Sequence, residues 1–170
     1  MSPEPDPAHV EARAALQRAM QLHAADDVDT ALTEAMRAIE LAPDLAEAHA
    51  YLGNTLVTRK RRFADGLAAL ERAAELAPED VGILYTLGWC QEFVAQSMMR
   101  GGLRARHQPV DHTFEDLFDA ATATMLRARE ICDPDDDIYG DIEDVLDYIA
   151  NATGVPWTDE ERERAAPRPR

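Results

Sequence analysis

Three short stretches of this chain end in the same way. Residues 36–43 read MRAIELAP, residues 71–78 read ERAAELAP, and residues 126–134 read LRAREICDP. The first two stretches end in Pro43 and Pro78, which are 35 residues apart. A period in this range is typical of solenoids, in which each helical unit packs only on its neighbours. The repeat therefore predicts an all-α protein.

Capping residues and helix breakers divide the apolar pattern into helices. Asp6 followed by Pro7 is a typical helix start, and both Asp44 with Glu47 and Thr113 with Asp116 have the spacing of a capping box. Apolar residues at helical spacing then predict seven helices. We expect the first over about 7–23, the second between Asp27 and Pro43, the third from Asp44 to about residue 59 and the fourth over 63–76. The fifth would run from about residue 80 to the insertion, the sixth would begin at Thr113, and the seventh would cover about 136–151.

Composition narrows the class of protein. The 170 residues carry 33 acidic and 17 basic side chains, a net charge of −16, which disfavours nucleic acid and anionic membranes as partners. Lys60 is the only lysine, and such a preference for arginine indicates a GC-rich, bacterial genome. With two cysteines, no signal-peptide pattern and no apolar run long enough to span a bilayer, we expect a cytoplasmic protein.

The repeated units resemble the tetratricopeptide repeat family, whose units of about 34 residues form helix–turn–helix pairs. The second unit matches best, with Leu52-Gly53 in its first helix and Gly66 in its second. The third unit carries Leu87-Gly88, and the first matches only in its second half. Small residues at these positions let paired helices approach closely, because a larger side chain would push the axes apart.

The resemblance implies a right-handed α-solenoid of three helix pairs and a C-terminal capping helix. The three-repeat domain would span residues 7–134, with units over about 12–45, 46–80 and 81–134. The third unit is about twenty residues too long, and Gly101-Gly102 and Pro109 place an inserted loop over about 97–112. The capping helix would cover 135–152, between a disordered start at 1–6 and a flexible tail at 153–170.

In that family the first helix of each pair lines a concave groove that binds peptides. Helical spacing on the matched helices gives the candidate groove residues, which are mostly apolar with one amide and favour a protein partner. For Tyr85 and Trp89, packing against the inserted loop or the cap is the alternative interpretation. The candidates are Leu16, Met20, His23, Ala50, Asn54, Val57, Tyr85, Trp89 and Glu92.

Some family members grip a terminal carboxylate with basic and amide side chains on these helices. Here only Asn54 matches that pattern, so a carboxylate clamp of this kind is not expected. Basic residues gather instead at two equivalent helix turns and predict a basic edge beside the groove, which would meet acidic groups of a partner. The alternative is that they cap helix C-termini and pair internally with the acidic C-terminal capping helix. They are Arg59, Lys60, Arg61, Arg62, Arg104 and Arg106.

No motif in the chain indicates catalysis or a cofactor. The acidic run over 133–144 has spacings like those of a calcium loop, but Ile138 stands where a glycine is required, and acids at a helix start explain the run without metal. His107, Asp111 and His112 match no zinc pattern. No nucleophile–base pair or nucleotide-binding fingerprint is present. We therefore predict a protein that is not an enzyme and has no metal or cofactor.

The leading hypothesis is an adaptor that binds a peptide segment of a protein partner in the groove. A small secretion-type chaperone for a translocated protein is the first alternative. A homo-oligomeric scaffold, for example a homodimer that buries the groove or the cap, is the second. The sequence does not name the partner or the pathway, and it leaves open whether the insertion covers the groove.

Overall fold

The protein is all-helical, as the repeat predicted. The computed structural model describes residues 6–101 and 107–158, and within them it contains seven α-helices and no strand. The helices are α1 (Pro7–Ala24), α2 (Val28–Leu41), α3 (Ala46–Lys60), α4 (Phe63–Leu76), α5 (Val81–Gly101), α6 (Phe114–Ile131) and α7 (Asp137–Thr153).

Side-chain caps begin several helices where the sequence indicated them. The Asp6 carboxylate accepts a hydrogen bond from the Ala8 amide at 3.0 Å, directly before Pro7. The capping box at α6 is complete, since the Thr113 hydroxyl accepts from the Asp116 amide at 3.1 Å and the Asp116 carboxylate accepts from the Thr113 amide at 3.0 Å. These contacts satisfy amides that have no partner inside the helix.

The capping box predicted for Asp44 and Glu47 does not form, and that prediction was wrong. α3 begins at Ala46, and Leu45 occupies the N-cap position without a side-chain hydrogen bond. The Leu45 side chain is buried in the core, and this packing sets the helix start one residue later. The two acids contact α1 instead: Asp44 lies 3.0 Å from His9 Nε2, and Glu47 pairs with Arg13 at 3.1 Å.

Consecutive helices pack as adjacent pairs. α1 packs on α2, α3 on α4, and α5 on α6, while α2–α3, α4–α5 and α3–α5 contacts join one pair to the next. α7 packs mainly on α6 and also touches α5. The largest apolar cluster draws on α3 to α7 and includes Phe63, Leu70, Val94 and Phe118.

Glycines permit the closest approach of α3 and α4. A Cβ atom on Gly53 would lie 2.6 Å from the Gly66 carbonyl oxygen, and a Cβ on Gly66 would lie 2.8 Å from the Gly53 carbonyl oxygen. Both distances are well below the van der Waals contact distance, and the two backbone oxygens cannot move aside. At the α5–α6 crossing a Cβ on Gly88 would instead meet the flexible Met125 side chain at 3.0 Å.

Segment boundaries differ from the sequence-based expectation at two places. α5 continues through Ser97 to Gly101, so the first part of the expected insertion at 97–112 is helical, and residues 107–112 are not. At the other end α7 extends to Thr153 and ends at Gly154, whose φ of 73° suits a glycine C-cap. Residues 1–5, 102–106 and 159–170 lie outside the described residues, so the expectations for the start and tail of the chain are untested there.

No helix within residues 6–101 and 107–158 combines the length and apolar character needed to cross a membrane.

Candidate ligand-binding site

The predicted groove residues divide into an accessible and a buried group. Met20 is half exposed, and His23, Ala50, Asn54, Tyr85 and Trp89 are partly exposed on α1, α3 and α5. Leu16, Val57 and Glu92 are buried. Leu16 packs with the alanines of α1 and α2, and Val57 packs in the largest cluster, so neither offers its side chain to a ligand.

His23 and Asn54, two of the accessible side chains, connect neighbouring pairs of helices. His23 does so through Tyr51 on α3. The Tyr51 hydroxyl donates to the Ala19 carbonyl at 3.0 Å and lies 3.1 Å from His23 Nδ1. Because the single hydroxyl hydrogen is used toward Ala19, the tyrosine oxygen accepts from His23, and Nδ1 therefore carries a proton. His23 thus has a structural contact that joins α1 to α3.

Asn54 has a comparable contact between α3 and α5. The Cys90 thiol donates to the Asn54 side-chain oxygen at 3.7 Å. Burial raises the pKa of the Cys90 thiol to about 12, so the group stays protonated and keeps its role as a donor. The contact uses one acceptor position of the Asn54 amide oxygen, and the partly exposed side chain keeps its second acceptor position and its amide donors.

A pocket of about 290 Å³ lies between α5 and α7. Its walls combine aromatic rings with carboxylates, and each helix contributes one face. The lining residues are Tyr85, Trp89, Glu92 and Gln96 from α5, and Asp141, Asp144, Val145 and Tyr148 from α7. Only the first three were among the sequence candidates.

The other lining residues could have been identified as a group from their spacing in the sequence. Asp141, Asp144, Val145 and Tyr148 follow the spacing i, i+3, i+4 and i+7, which puts them on one face of a helix. The acids over 133–144 were expected only to serve the start of the capping helix. The contact between α5 and α7 makes the face with Asp141 and Asp144 the wall of a pocket.

Polar side chains of α5 and α7 meet at one end of the pocket. The Gln96 amide donates to Glu92 Oε1 at 3.2 Å and also to the Tyr148 hydroxyl. Arg100 donates to the same hydroxyl at 3.2 Å. On the α5 wall the Trp89 ring stacks on Phe93 with 5.5 Å between ring centroids. These contacts hold the lining side chains in position without a ligand.

The pocket is electrically negative. Burial raises the pKa of the Glu92 carboxyl, an effect that the Gln96 hydrogen bond and the nearby Arg100 partly oppose. Burial also raises the pKa of the Tyr85 hydroxyl, and the charges of Asp141 and Asp144 raise it further. Burial disfavours a charge of either sign, but the effect of Asp141 and Asp144 on Tyr85 reports a negative potential on this side of the pocket, which favours a cationic group there.

The described part of the predicted basic edge is paired with the protein's own groups. Arg59 contacts Asp26 at 2.5 Å, and Lys60 contacts Asp29 at 2.6 Å, which ties the end of α3 to the α1–α2 turn and α2. Arg62 pairs with Asp65 at 2.5 Å, and Arg61 lies over the Phe63 ring. The cluster thus pairs internally, as in the alternative interpretation, but with acids of the α1–α2 turn, α2 and α4 and not with those of the capping helix. Arg104 and Arg106 lie outside the described residues.

The described half of the insertion contacts the α3–α4 turn. The Gln108 amide donates to the Arg61 carbonyl at 3.0 Å, and the Gln108 side-chain oxygen accepts from the Asp65 amide at 3.0 Å. The His107 ring stacks on Phe63 at 4.9 Å between centroids. Residues 107–112 therefore lie against α4 and its preceding turn, and the pocket lies between α5 and α7.

The acids over 133–144 serve partly as turn and helix caps. The Asp133 carboxylate accepts from the Asp135 amide at 3.0 Å, and the Asp136 carboxylate accepts from the Ile138 amide at 3.1 Å. In the part of the chain that the structure describes, no three His, Cys, Asp or Glu side chains are grouped as a metal ion would require.

No model of a known protein family matches this chain, and a search of curated proteins also finds no match. The class of protein is therefore defined by its structure alone: an all-helical protein of adjacent helix pairs with an aromatic, acidic pocket between α5 and α7.

Proposed function

We propose that this protein is an adaptor of the tetratricopeptide repeat type, a right-handed solenoid that binds a peptide segment of another protein along α1, α3 and α5. The proposal includes the absence of catalysis by the chain itself. The glycine contact between α3 and α4 and the contacts that join one pair to the next are what such a repeat requires.

The observation that carries the proposal is the pocket beside α5. Tyr85 and Trp89 are only partly covered there, although aromatic side chains of this size usually bury most of their surface. Met20 on α1 adds an exposed, flexible apolar side chain, a type that is common at protein contact surfaces. A partner segment crossing the first helices of the pairs would cover these side chains.

The test uses two methionines with matched exposure. Met20 on α1 is 50% exposed and Met36 on α2 is 47% exposed, but only α1 belongs to the proposed binding face. The tagged full chain and its Met20→Glu and Met36→Glu variants are used to capture partners from cells of the source organism, followed by quantitative mass spectrometry. Thermal unfolding establishes that both variants remain folded.

We expect Met20→Glu to lower recovery of the main partner about fivefold or more, which corresponds to roughly 1 kcal/mol at a binding residue. Met36→Glu should leave recovery unchanged. Equal recovery with both variants would contradict a binding face on α1, α3 and α5.

The other functional alternatives remain predictions. A homo-oligomeric scaffold would bury the same face against a second copy, and sedimentation velocity at two widely separated concentrations distinguishes that case. A secretion-type chaperone role and a cytoplasmic location also remain predictions.

A further inference from the structure

We propose that the pocket between α5 and α7 binds the guanidinium group of an arginine in the partner segment. The inference rests on the proposed function and specifies the chemistry of the partner. The partner group would be a cation, whereas the predicted basic edge implied acidic groups on the partner.

The carboxylates of the pocket have no ion-pair partner among the described residues, and the one cation that acts on them is Arg100, which lowers the pKa of the Glu92 carboxyl without pairing with it. Glu92, Asp141 and Asp144 form no ion pair with any residue in 6–101 or 107–158. Elsewhere acids of this protein do find partners, for example Glu34 with Arg18 at 2.9 Å. Three carboxylates that share one pocket repel each other, and a single bound cation would relieve that repulsion.

Glu92 is the group for which a cation matters most. Its residue is only 8% exposed, and within the described residues its carboxylate receives one hydrogen bond, from Gln96 to Oε1, while the other carboxylate oxygen stays accessible to solvent. An ionised carboxylate that is removed from water needs a charged partner or several donors to offset its lost hydration. A guanidinium carries five N–H donors and can supply both.

The aromatic walls favour a flat cation. Tyr85, Trp89 and Tyr148 line the pocket, and the face of an aromatic ring attracts a cation, with tryptophan the strongest. An arginine can stack on such a face while its edge meets carboxylates, whereas a lysine ammonium is a compact and strongly hydrated charge. The pocket volume is near the lower limit of about 300 Å³ for small-molecule sites, which suits one long side chain.

The protein contains the same arrangement with its own arginine. Arg129 lies 5.1 Å from the Tyr139 ring centroid and 5.2 Å from the Trp157 ring centroid. It also pairs with Glu143 on α7 at 2.9 Å. Two aromatic rings and a carboxylate thus already hold a guanidinium in this fold. The pocket offers the same kinds of group, and no arginine among the described residues forms an ion pair with its carboxylates.

The experiment is a titration of the full chain with a synthetic peptide, acetyl-Ala-Leu-Arg-Leu-Ala-amide. The readout is the Trp89 indole N–H signal in ¹H–¹⁵N spectra, assigned with Trp89→Phe and Trp157→Phe variants. Peptides with lysine or with the neutral isostere citrulline in place of arginine are titrated in parallel. We expect saturable shifts with a dissociation constant on the order of 1 mM for one side chain, and about tenfold weaker binding of citrulline.

Matched variants separate the pocket from general electrostatics. Asp141→Asn with Asp144→Asn removes two exposed charges that line the pocket, and Asp135→Asn with Asp137→Asn removes two exposed charges outside it, near the start of α7. We expect the first pair to weaken binding about tenfold and the second by less than about twofold, because exposed charges at a distance are screened by salt.

Several outcomes would overturn the inference. One is the absence of a Trp89 shift at a peptide concentration tenfold above the expected dissociation constant of about 1 mM. The others are citrulline or lysine peptides that bind as tightly as the arginine peptide, and equal weakening of binding by both pairs of variants. A Trp89 signal that changes with protein concentration alone would assign the pocket to a second copy. A Trp89 signal that moves when residues 159–170 are removed would assign the pocket to that segment of the same chain.

The two proposals fail in distinguishable ways. If the arginine peptide does not bind but Met20→Glu still loses the cellular partner, the adaptor proposal stands and the arginine pocket does not. If the peptide binds at Trp89 but Met20→Glu and Met36→Glu capture partners equally, the pocket stands and the binding face along α1 and α3 does not.

Discussion

The carbonyl oxygen of Gly66 lies 2.6 Å from the position that a Cβ atom on Gly53 would occupy. The backbone amide of Leu70 lies almost as close, at 2.9 Å. Neither group can rotate away, unlike the end of a side chain. The crossing of α3 and α4 therefore depends on the absence of a side chain at residue 53.

Gly53→Ala should destabilise the protein. Overpacking costs up to about 3 kcal/mol, against a gain of about 1 kcal/mol in helix propensity, so we expect a net loss of about 2 kcal/mol in the free energy of unfolding. The control is Gly140→Ala on α7, where no atom lies within 4 Å of the added Cβ. That change should stabilise by about 0.5–1 kcal/mol in urea unfolding. A stabilising Gly53→Ala would contradict the close crossing.

Arg129 should contribute to the attachment of α7 through its shape as well as its charge. We expect Arg129→Ala to cost about 1–2 kcal/mol, from two ring contacts and one partly exposed ion pair. Arg129→Lys should recover less than half of this loss, because an ammonium does not stack as a guanidinium does.

The matched control for Arg129 is Arg72, whose ion pair with Glu75 has the same 2.9 Å length but lies on the surface of α4. Arg72→Ala should change the free energy of unfolding by less than about 0.5 kcal/mol. Equal losses in chemical unfolding at both positions would refute a special role for the rings around Arg129.

Glu92 should make the protein less stable at neutral pH than a neutral side chain would. Its pKa in the folded state is raised by burial, so the folded protein binds the proton more tightly than the unfolded chain. This contribution to stability is present at low pH and is lost as the pH rises from the unfolded pKa through the folded pKa. Glu92→Gln should therefore be more stable than the parent at pH 7, with a smaller difference near pH 4.

Urea unfolding at the two pH values measures this difference. Glu79→Gln, at an exposed position, should differ from the parent by no more than about 0.5 kcal/mol at either pH. A Glu92→Gln effect that is the same at pH 4 and pH 7 would show that the carboxylate is not disfavoured by burial.

Asp116 should produce a pH dependence of the opposite sign. Its hydrogen bonds with the Thr113 amide and hydroxyl hold the pKa of this carboxyl below the usual value of 3.8. The stabilisation is complete above the unfolded pKa and is lost as the pH falls through the lower, folded pKa. Asp116→Asn should thus lower the melting temperature at pH 6 and have a smaller effect at pH 2.5, as measured by circular dichroism. An equal effect at both pH values would rule out the charged cap.

Much of the fold could be predicted because its determinants are local. The segment over 63–76 matches α4 residue for residue, since Arg62 precedes it at a tight turn and a proline follows at position 78. The Thr113–Asp116 box and the Asp6–Pro7 start were also predicted correctly. The Asp44–Glu47 box failed because its spacing is compatible with a cap, but burial of Leu45 sets the actual start of α3.

The candidate site was only partly predictable, because it depends on long-range contacts. Helical spacing placed Leu16 and Val57 beside Met20 and Asn54, yet it does not specify which of two adjacent faces is covered by the next helix. Sequence alone did not identify the ion-pair partners of the basic residues at the end of α3, because Asp26 and Asp29 lie about thirty residues away from them along the chain.

Local order along the chain was sufficient to predict the seven helices, most of their starts and where a glycine must stand at a crossing, but not the start of α3 or the end of α5. These features depend on residues within one turn or one repeat of each other, and a repeat copies them in register. The pocket required the folded molecule, because residues 85–96 and 141–148 are separated in sequence by the whole of α6 and by the segments on either side of it. Only the packing of α7 against α5 and α6 brings aromatic rings and carboxylates together and determines how far each is removed from water.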